Sequence, residues 1–85
     1  MRLFQLTHPQ YPALLDLASA GDAILLRQDA VYLLLQQQQW PCQLYVLQTD
    51  LQIRGLTCPA HVRVLTDPQW VELTLTATQV IACLN

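Results

Sequence analysis

Short, mainly apolar runs recur along the chain, and stretches with helix-like spacing of apolar residues separate them. A run that is apolar throughout, such as residues 23–26, is typical of a strand covered on both faces of a parallel sheet. Each run is too short for a helix, so the pattern favours strands. Five strands are predicted, at residues 1–6, 23–26, 44–47, 62–65 and 80–84.

The stretches between these runs carry apolar residues three and four positions apart, as one face of a helix does. Helices are therefore predicted at residues 11–20, 29–38, 50–55 and 67–75. The residues expected on the inward faces are Leu14, Leu15, Leu17 and Ala18 in the first helix and Val31, Leu34 and Leu35 in the second.

Residues that begin and end helices flank these stretches. Asp29 and Asp50 precede helical patterns at the N-cap position, where a carboxylate accepts hydrogen bonds from free backbone N–H groups. Gly21 and Gly55 follow two of the patterns and are expected as C′ residues. Pro68 is expected at the first helical position, where its missing N–H removes no hydrogen bond.

Strands that alternate with short helices predict an α/β fold, here a small three-layer α/β/α sandwich around a mostly parallel sheet of about five strands. A chain of 85 residues is expected to form a single domain, residues 1–85. Its composition is 53% hydrophobic and 12% charged, with no lysine. Because so small a domain buries a limited share of its surface, the excess apolar surface predicts contacts with other subunits.

The charge pattern argues against binding of nucleic acid, and the length of the apolar runs argues against a membrane-spanning segment. The net charge is −2, the pI is about 5.3 and the four arginines are scattered, whereas nucleic-acid binding needs clustered basic residues. The longest apolar run, residues 30–35, is far below the roughly 20 residues that span a bilayer. The amino-terminal residues lack a signal-peptide pattern. We therefore expect a cytoplasmic protein without direct contact to nucleic acid or membrane.

Ligand sites of parallel sheets lie beyond the carboxyl ends of the strands. Asp29 and Asp50 follow strands there, and paired carboxylates bind a cation or act as acid and base, although helix capping explains both residues. His8 follows the first strand, where it is a candidate catalytic group or a loop hydrogen-bonding residue. A small-ligand binding module at this edge is one alternative function.

The thiols offer the other candidate chemistry. Cys58 and His61 form a Cys-Pro-Ala-His segment in which the imidazole is a candidate activator of the thiol, or Cys58 is a plain loop residue. Cys42 and Cys83 are expected to be structural. A zinc site built from Cys42, Cys58, His61 and His8 lacks paired ligand spacing. No metal and no cofactor are predicted, because no nucleotide-binding or hydrolase motif is present either.

Four segments in collinear order resemble one family. They are Leu-Thr-His at residues 6–8, Gly-Asp-Ala-Ile-Leu-Leu-Arg-Gln-Asp-Ala-Val at 21–31, Tyr-x-Leu-x-x-Asp-Leu-x-x-Arg-Gly at 45–55 and Asp-x-x-x-Val-x-Leu-Thr at 67–74. This set resembles the DsrH/TusB family of sulfur-relay proteins over nearly the whole chain. The central segment is its most specific part.

The resemblance implies a subunit of a TusBCD-type or DsrEFH-type heterohexamer. Its direct partners are then TusC-like and TusD-like subunits, and TusA-like and TusE-like sulfur carriers act before and after them. Such a complex passes persulfide sulfur towards 2-thiolation of the wobble uridine of tRNA, whereas DsrEFH complexes serve sulfur oxidation. The sequence leaves the choice between these two branches open.

Comparison with the family pattern bears on whether this chain itself carries sulfur. Some family members carry a cysteine in the first helix, and this chain has Leu14 at that place. No catalytic residue is therefore carried over, which favours a non-catalytic subunit, with a persulfide-carrying Cys58 as the alternative. Arg54 and Gly55 match the family but are explained by the end of a helix. Tyr32, Trp40 and Trp70 are candidate interface residues, or equally core residues.

Overall fold

The structure is a computed structural model that describes residues 1–83, and its centre is a five-stranded sheet. The strand order is β4-β3-β2-β1-β5, and every neighbouring pair is parallel. The predicted α/β fold with a mostly parallel sheet is confirmed, and Leu84, predicted in the last strand, lies outside the described residues. The strands are β1 (Arg2–Leu6), β2 (Ala23–Leu26), β3 (Gln43–Leu47), β4 (Arg63–Leu65) and β5 (Gln79–Cys83).

Helices cover both faces of this sheet. A first 3₁₀ helix (Ala13–Leu17), a second 3₁₀ helix (Gln28–Leu35) and α1 (Gln48–Arg54) pack on one face, where Phe4, Ile24 and Val46 are completely buried. On the other face α2 (Asp67–Thr76) packs against Leu3, Leu25 and Leu47. Alternate residues of the inner strands therefore contribute to two separate cores, which explains why β2 is apolar throughout, whereas the edge strands β4 and β5 are largely exposed. Within residues 1–83 no helix has both the length and the apolar character needed to cross a bilayer.

The first two helices are 3₁₀ helices and are shorter than the predicted α-helices. With three residues per turn, residues three apart share a face. Leu15 is buried and Ala18 half-buried, whereas Leu14 and Leu17 point outward together. Leu35, predicted inward, is 70% exposed because it lies three residues after exposed Tyr32.

Several predicted helix ends are also wrong. The second 3₁₀ helix begins at Gln28 and α1 begins at Gln48 directly after β3, so neither Asp29 nor Asp50 is an N-cap. The first 3₁₀ helix ends at Leu17, so Gly21 lies beyond its cap in a turn. At α2 the hydroxyl of Thr66 accepts from the backbone N–H of Gln69, and the Gln69 side chain accepts from the Thr66 N–H. Pro68 is therefore the second residue of α2.

Gly55 is the left-handed residue that ends α1, as predicted for a glycine stop, with φ of 63°. Gly55→Ala is expected to lower the free energy of unfolding by about 1 kcal/mol, because an L side chain strains this conformation. Gly21→Ala is the matched control, since Gly21 has no positive φ and no heavy atom lies within 4 Å of an added Cβ. Urea titration measures both, and equal effects of the two substitutions would contradict the conformational explanation.

Candidate functional site

The amino edge of the sheet is held by an ion pair between Arg2 and Asp22. The Asp22 carboxylate accepts from the Arg2 backbone N–H at 3.0 Å, and from its Nε and Nη2 at 3.2 and 2.8 Å. It also accepts from the N–H of Ser19 at 2.8 Å and from the Ser19 hydroxyl. These hydrogen bonds hold the pKa of Asp22 well below its usual range, with the Arg2 side chain as the largest cause. These contacts connect the start of β1 to the segment before β2, so we interpret this edge as structural.

At the carboxyl edge Arg54 connects the two candidate carboxylates. Its Nη2 and Nε donate to Asp29 at 2.9 and 3.2 Å, and its Nη1 donates to the carbonyl and the carboxylate of Asp50 at 3.3 and 3.4 Å. The guanidinium also lies 5.9 Å from the ring centre of Tyr32. The sequence predicted both carboxylates at this edge, and the structure shows that one arginine hydrogen-bonds to both of them. The arrangement joins α1 to the second 3₁₀ helix, and the arginine, instead of a cation, is the common partner of the two carboxylates.

The other residues proposed for this edge do not converge on a site. His8 is exposed, and its Nδ1 lies 3.2 Å from the Thr7 hydroxyl. Among residues 1–83 no three metal-ligating side chains come together, so His8, Cys42, Cys58 and His61 form no cluster there. The described surface also has no cavity beyond the strand ends. This geometry gives a small-ligand module no concave site.

Cys58 lies between α1 and β4, and its Sγ is within 3.4 Å of two backbone carbonyls, those of Pro59 and Val62. A carbonyl accepts a hydrogen bond from the thiol and repels a thiolate. Burial further raises the pKa of the Cys58 thiol. His61 is exposed, and its carbonyl accepts a hydrogen bond from Gln43. Both effects favour the protonated thiol of Cys58, and among the described residues no hydrogen bond joins its Sγ to the His61 ring.

The remaining thiols are also in apolar surroundings. Cys42 precedes β3 and is half-buried, and Cys83 ends β5 and is buried beside Leu6 of β1. Burial is the main cause that raises the pKa of both thiols, and Asp22 adds to it at Cys42. A thiol with a raised pKa is mostly protonated at neutral pH and is a weak nucleophile.

Arg27 and Trp70 form a contact that sequence reasoning missed. The Arg27 Cζ lies 4.3 Å from the Trp70 ring centre, and its Nη1 donates to Gln5 Oε1 at 3.3 Å. Arg27 directly follows β2, and Trp70 is in the first turn of α2. The available signal was an arginine immediately after a wholly apolar strand, but its partner on a distant helix follows only from the three-dimensional packing.

The three aromatic interface candidates differ in their surroundings. Trp40 packs on the core beside Tyr11, with ring centres 5.3 Å apart, and Trp70 packs on the second core. Tyr32 remains 40% exposed. Further apolar side chains are exposed on the helices and edge strands, namely Leu17, Leu35, Ile53, Val64, Val71, Leu75 and Val80.

The sequence matches the family model described as DsrH like protein over residues 6–80. The match extends from the end of β1 into β5, and it includes both α-helices and the Arg54 cluster. Comparison with curated proteins gives no match. Because the family model covers most of the chain, the protein belongs to the DsrH-like family of sulfur-relay proteins.

Proposed function

We propose that this chain is a non-catalytic subunit of a cytoplasmic sulfur-relay complex that passes persulfide sulfur towards 2-thiolation of the tRNA wobble uridine. Its direct partners in this proposal are TusC-like and TusD-like subunits in a heterohexamer. TusA-like and TusE-like carriers deliver and collect the sulfur through those partners. The acidic net charge supports an indirect relation to tRNA, because phosphate binding needs basic residues.

The observation that carries the non-catalytic role is the state of the three thiols. Sulfur relay requires a thiolate that attacks the outer sulfur of a donor persulfide and releases the donor as a thiol. Burial raises the pKa of Cys42, Cys58 and Cys83 alike. The position where some relatives carry a helical cysteine is Leu14 in this chain. These residues therefore favour a supporting subunit over a sulfur carrier.

A cysteine-free chain tests this role in the complete complex. We expect Cys42→Ser, Cys58→Ser and Cys83→Ala together to leave the rate of sulfur transfer within about twofold of the original, because protonated thiols contribute little nucleophile. The measurement is transfer of ³⁵S from a persulfide donor through the copurified subunits to the final carrier. The control replaces the sulfur-bearing cysteine of the partner subunit, and this variant is expected to abolish transfer.

Two results would contradict the proposal. One is ³⁵S on this chain, released by a reducing agent and absent from Cys58→Ser, which assigns relay to Cys58. The other is failure of the original chain to copurify with the partner subunits, measured as a monomer by size-exclusion chromatography with light scattering.

A further inference from the structure

Arg27 is held rigidly at the carboxyl edge of the sheet. Its backbone N–H donates to the Leu6 carbonyl at 2.9 Å, and its carbonyl accepts from the Ala30 N–H at 3.0 Å. The next residue, Gln28, has φ of 51°, which turns the chain sharply away from β2. The guanidinium lies over the Trp70 ring. The contacts of the guanidinium with Gln5 and Trp70 orient the side chain, which lowers the entropic cost of binding.

Some hydrogen-bond donors of Arg27 and Trp70 have no acceptor within residues 1–83. Arg2 pairs with a carboxylate and so does Arg54, but no carboxylate of the described chain pairs with Arg27. Its Nη1 has a neutral amide as acceptor, and its Nε is buried with no acceptor. The Trp70 Nε1 is also buried without one. Unmatched buried donors lower the stability of a fold, and charged ones lower it most.

An apolar surface adjoins this pair on α2. Val71 follows Trp70 directly, and Leu75 lies one turn further on the same side of the helix. They are 55% and 79% exposed. Interfaces concentrate their binding energy in residues such as Arg and Trp, which surrounding contacts shield from water. A charged centre beside exposed apolar side chains has this composition.

We propose that the Arg27 guanidinium, which lies over the Trp70 ring, binds a carboxylate side chain, Asp or Glu, of a partner subunit through its terminal nitrogens. The guanidinium offers a planar pair of donors that matches a carboxylate, and the new ion pair compensates the half-buried charge. The exposed apolar side chains of Val71 and Leu75, on the same helix as Trp70, favour a carboxylate presented by a protein surface. This inference rests on the proposed function, because it requires that the chain sits in a complex.

The chain contains no lysine, which allows a selective test. Arg27→Lys introduces a single side-chain amine, and a zero-length carbodiimide joins it to a carboxylate in direct contact. In the copurified complex we expect a cross-link from the introduced amine to an Asp or Glu of a partner subunit, identified by peptide mass spectrometry. Arg63→Lys is the matched control, since Arg63 is an exposed arginine on edge strand β4. The unsubstituted chain controls for the amino terminus.

Three results would overturn the proposal while the complex remains intact. They are an introduced amine that stays unlinked, a link from it to a carboxylate of the same chain, and a link to a second copy of this chain. If the unsubstituted chain does not assemble with the partners, the proposed function fails first and the docking proposal falls with it. Assembly is measured before cross-linking, so the two failures are distinguished.

The energetic effect and a measurement on the unsubstituted protein complete the test. Arg27→Gln is expected to raise the dissociation constant of the complex at least about 30-fold, whereas Arg63→Gln leaves it nearly unchanged.

Should the Arg27 variants fail to fold, phenylglyoxal modification of the original protein tests the proposal instead. Arg27 is then expected to react several-fold more slowly in the complex than in the isolated chain, with Arg63 unaffected. Equal Arg27 rates would exclude the docked carboxylate.

Discussion

Asp22→Asn is expected to lower the melting temperature of the chain at pH 7 by roughly 5–15 °C. The side chain of Asp22 is 8% exposed and accepts hydrogen bonds from Arg2 and Ser19. An asparagine keeps the size but places an NH₂ group against these donors and leaves Arg2 without its charge partner. The loss affects the starts of β1 and β2, the neighbouring strands at the middle of the sheet.

The same residue predicts the response to acid. Because hydrogen bonds to Arg2 and Ser19 lower the pKa of Asp22 in the folded state, the folded protein binds the Asp22 proton less readily than the unfolded chain, whose Asp pKa is about 3.9. Its stabilisation is therefore complete well above pH 3.9 and is lost progressively as the pH falls below about 5. The difference in melting temperature between the original chain and Asp22→Asn should shrink over that range.

Asp16→Asn is the matched control for this experiment, since Asp16 is exposed on the first 3₁₀ helix. Differential scanning calorimetry from pH 7 to pH 3 measures all three proteins. A difference between the original chain and Asp22→Asn that stays constant down to pH 3 would show that the ion pair is not the source of the stabilisation.

The centre of the sheet was predictable from the sequence because β2 is buried on both faces. Residues 23–26 are apolar throughout, and all four are buried. Apolar runs that polar residues flank or interrupt identified the other strands to within one residue at each described end. Parallel pairing followed from the helices between the strands, since a tight hairpin cannot join parallel strands. The ion pair between Arg2 and Asp22 could also have been predicted. Arg2 begins β1, and Asp22 directly precedes β2, which pairs with β1.

Helix type was not predictable from apolar spacing alone. Residues at positions i and i+3 lie on one side of both an α-helix and a 3₁₀ helix. The two helix types differ at position i+4, which lies on the same side as i only in the α-helix. In the first helix Asp22 binds the Ser19 N–H, which holds the chain in a turn soon after Leu17. This competition between a side chain and the helix depends on the fold as a whole.

The candidate site was predicted in position but not in chemistry. Asp29 and Asp50 were expected at the carboxyl edge and lie there, but capping was assigned where Arg54 in fact binds both. The i,i+4 spacing of Asp50 and Arg54 was visible in the sequence. The approach of Asp29 from another element was not, because it depends on the path of the second 3₁₀ helix.

Arg54→Ala is expected to lower the free energy of unfolding by about 1–2 kcal/mol. Arg54 is 17% exposed and joins α1 to the second 3₁₀ helix. Its removal leaves Asp50, 15% exposed, without its guanidinium. Arg54→Lys should recover only part of the loss, because an ammonium group cannot donate from separate planar nitrogens to both carboxylates. Urea unfolding followed by circular dichroism measures these variants.

Double-mutant cycles separate the two ion pairs of Arg54. The contact to Asp29 is shorter, 2.9 Å against 3.4 Å for Asp50, but the Asp29 side chain is 63% exposed. Water and salt screen exposed charges far more than half-buried ones. We therefore expect about 1 M NaCl to remove most of the Arg54–Asp29 coupling while the Arg54–Asp50 coupling persists. Equal salt sensitivity of the two couplings would contradict this expectation. It would mean that burial does not determine the strength of the two ion pairs, and that solvent screens both of them to the same extent.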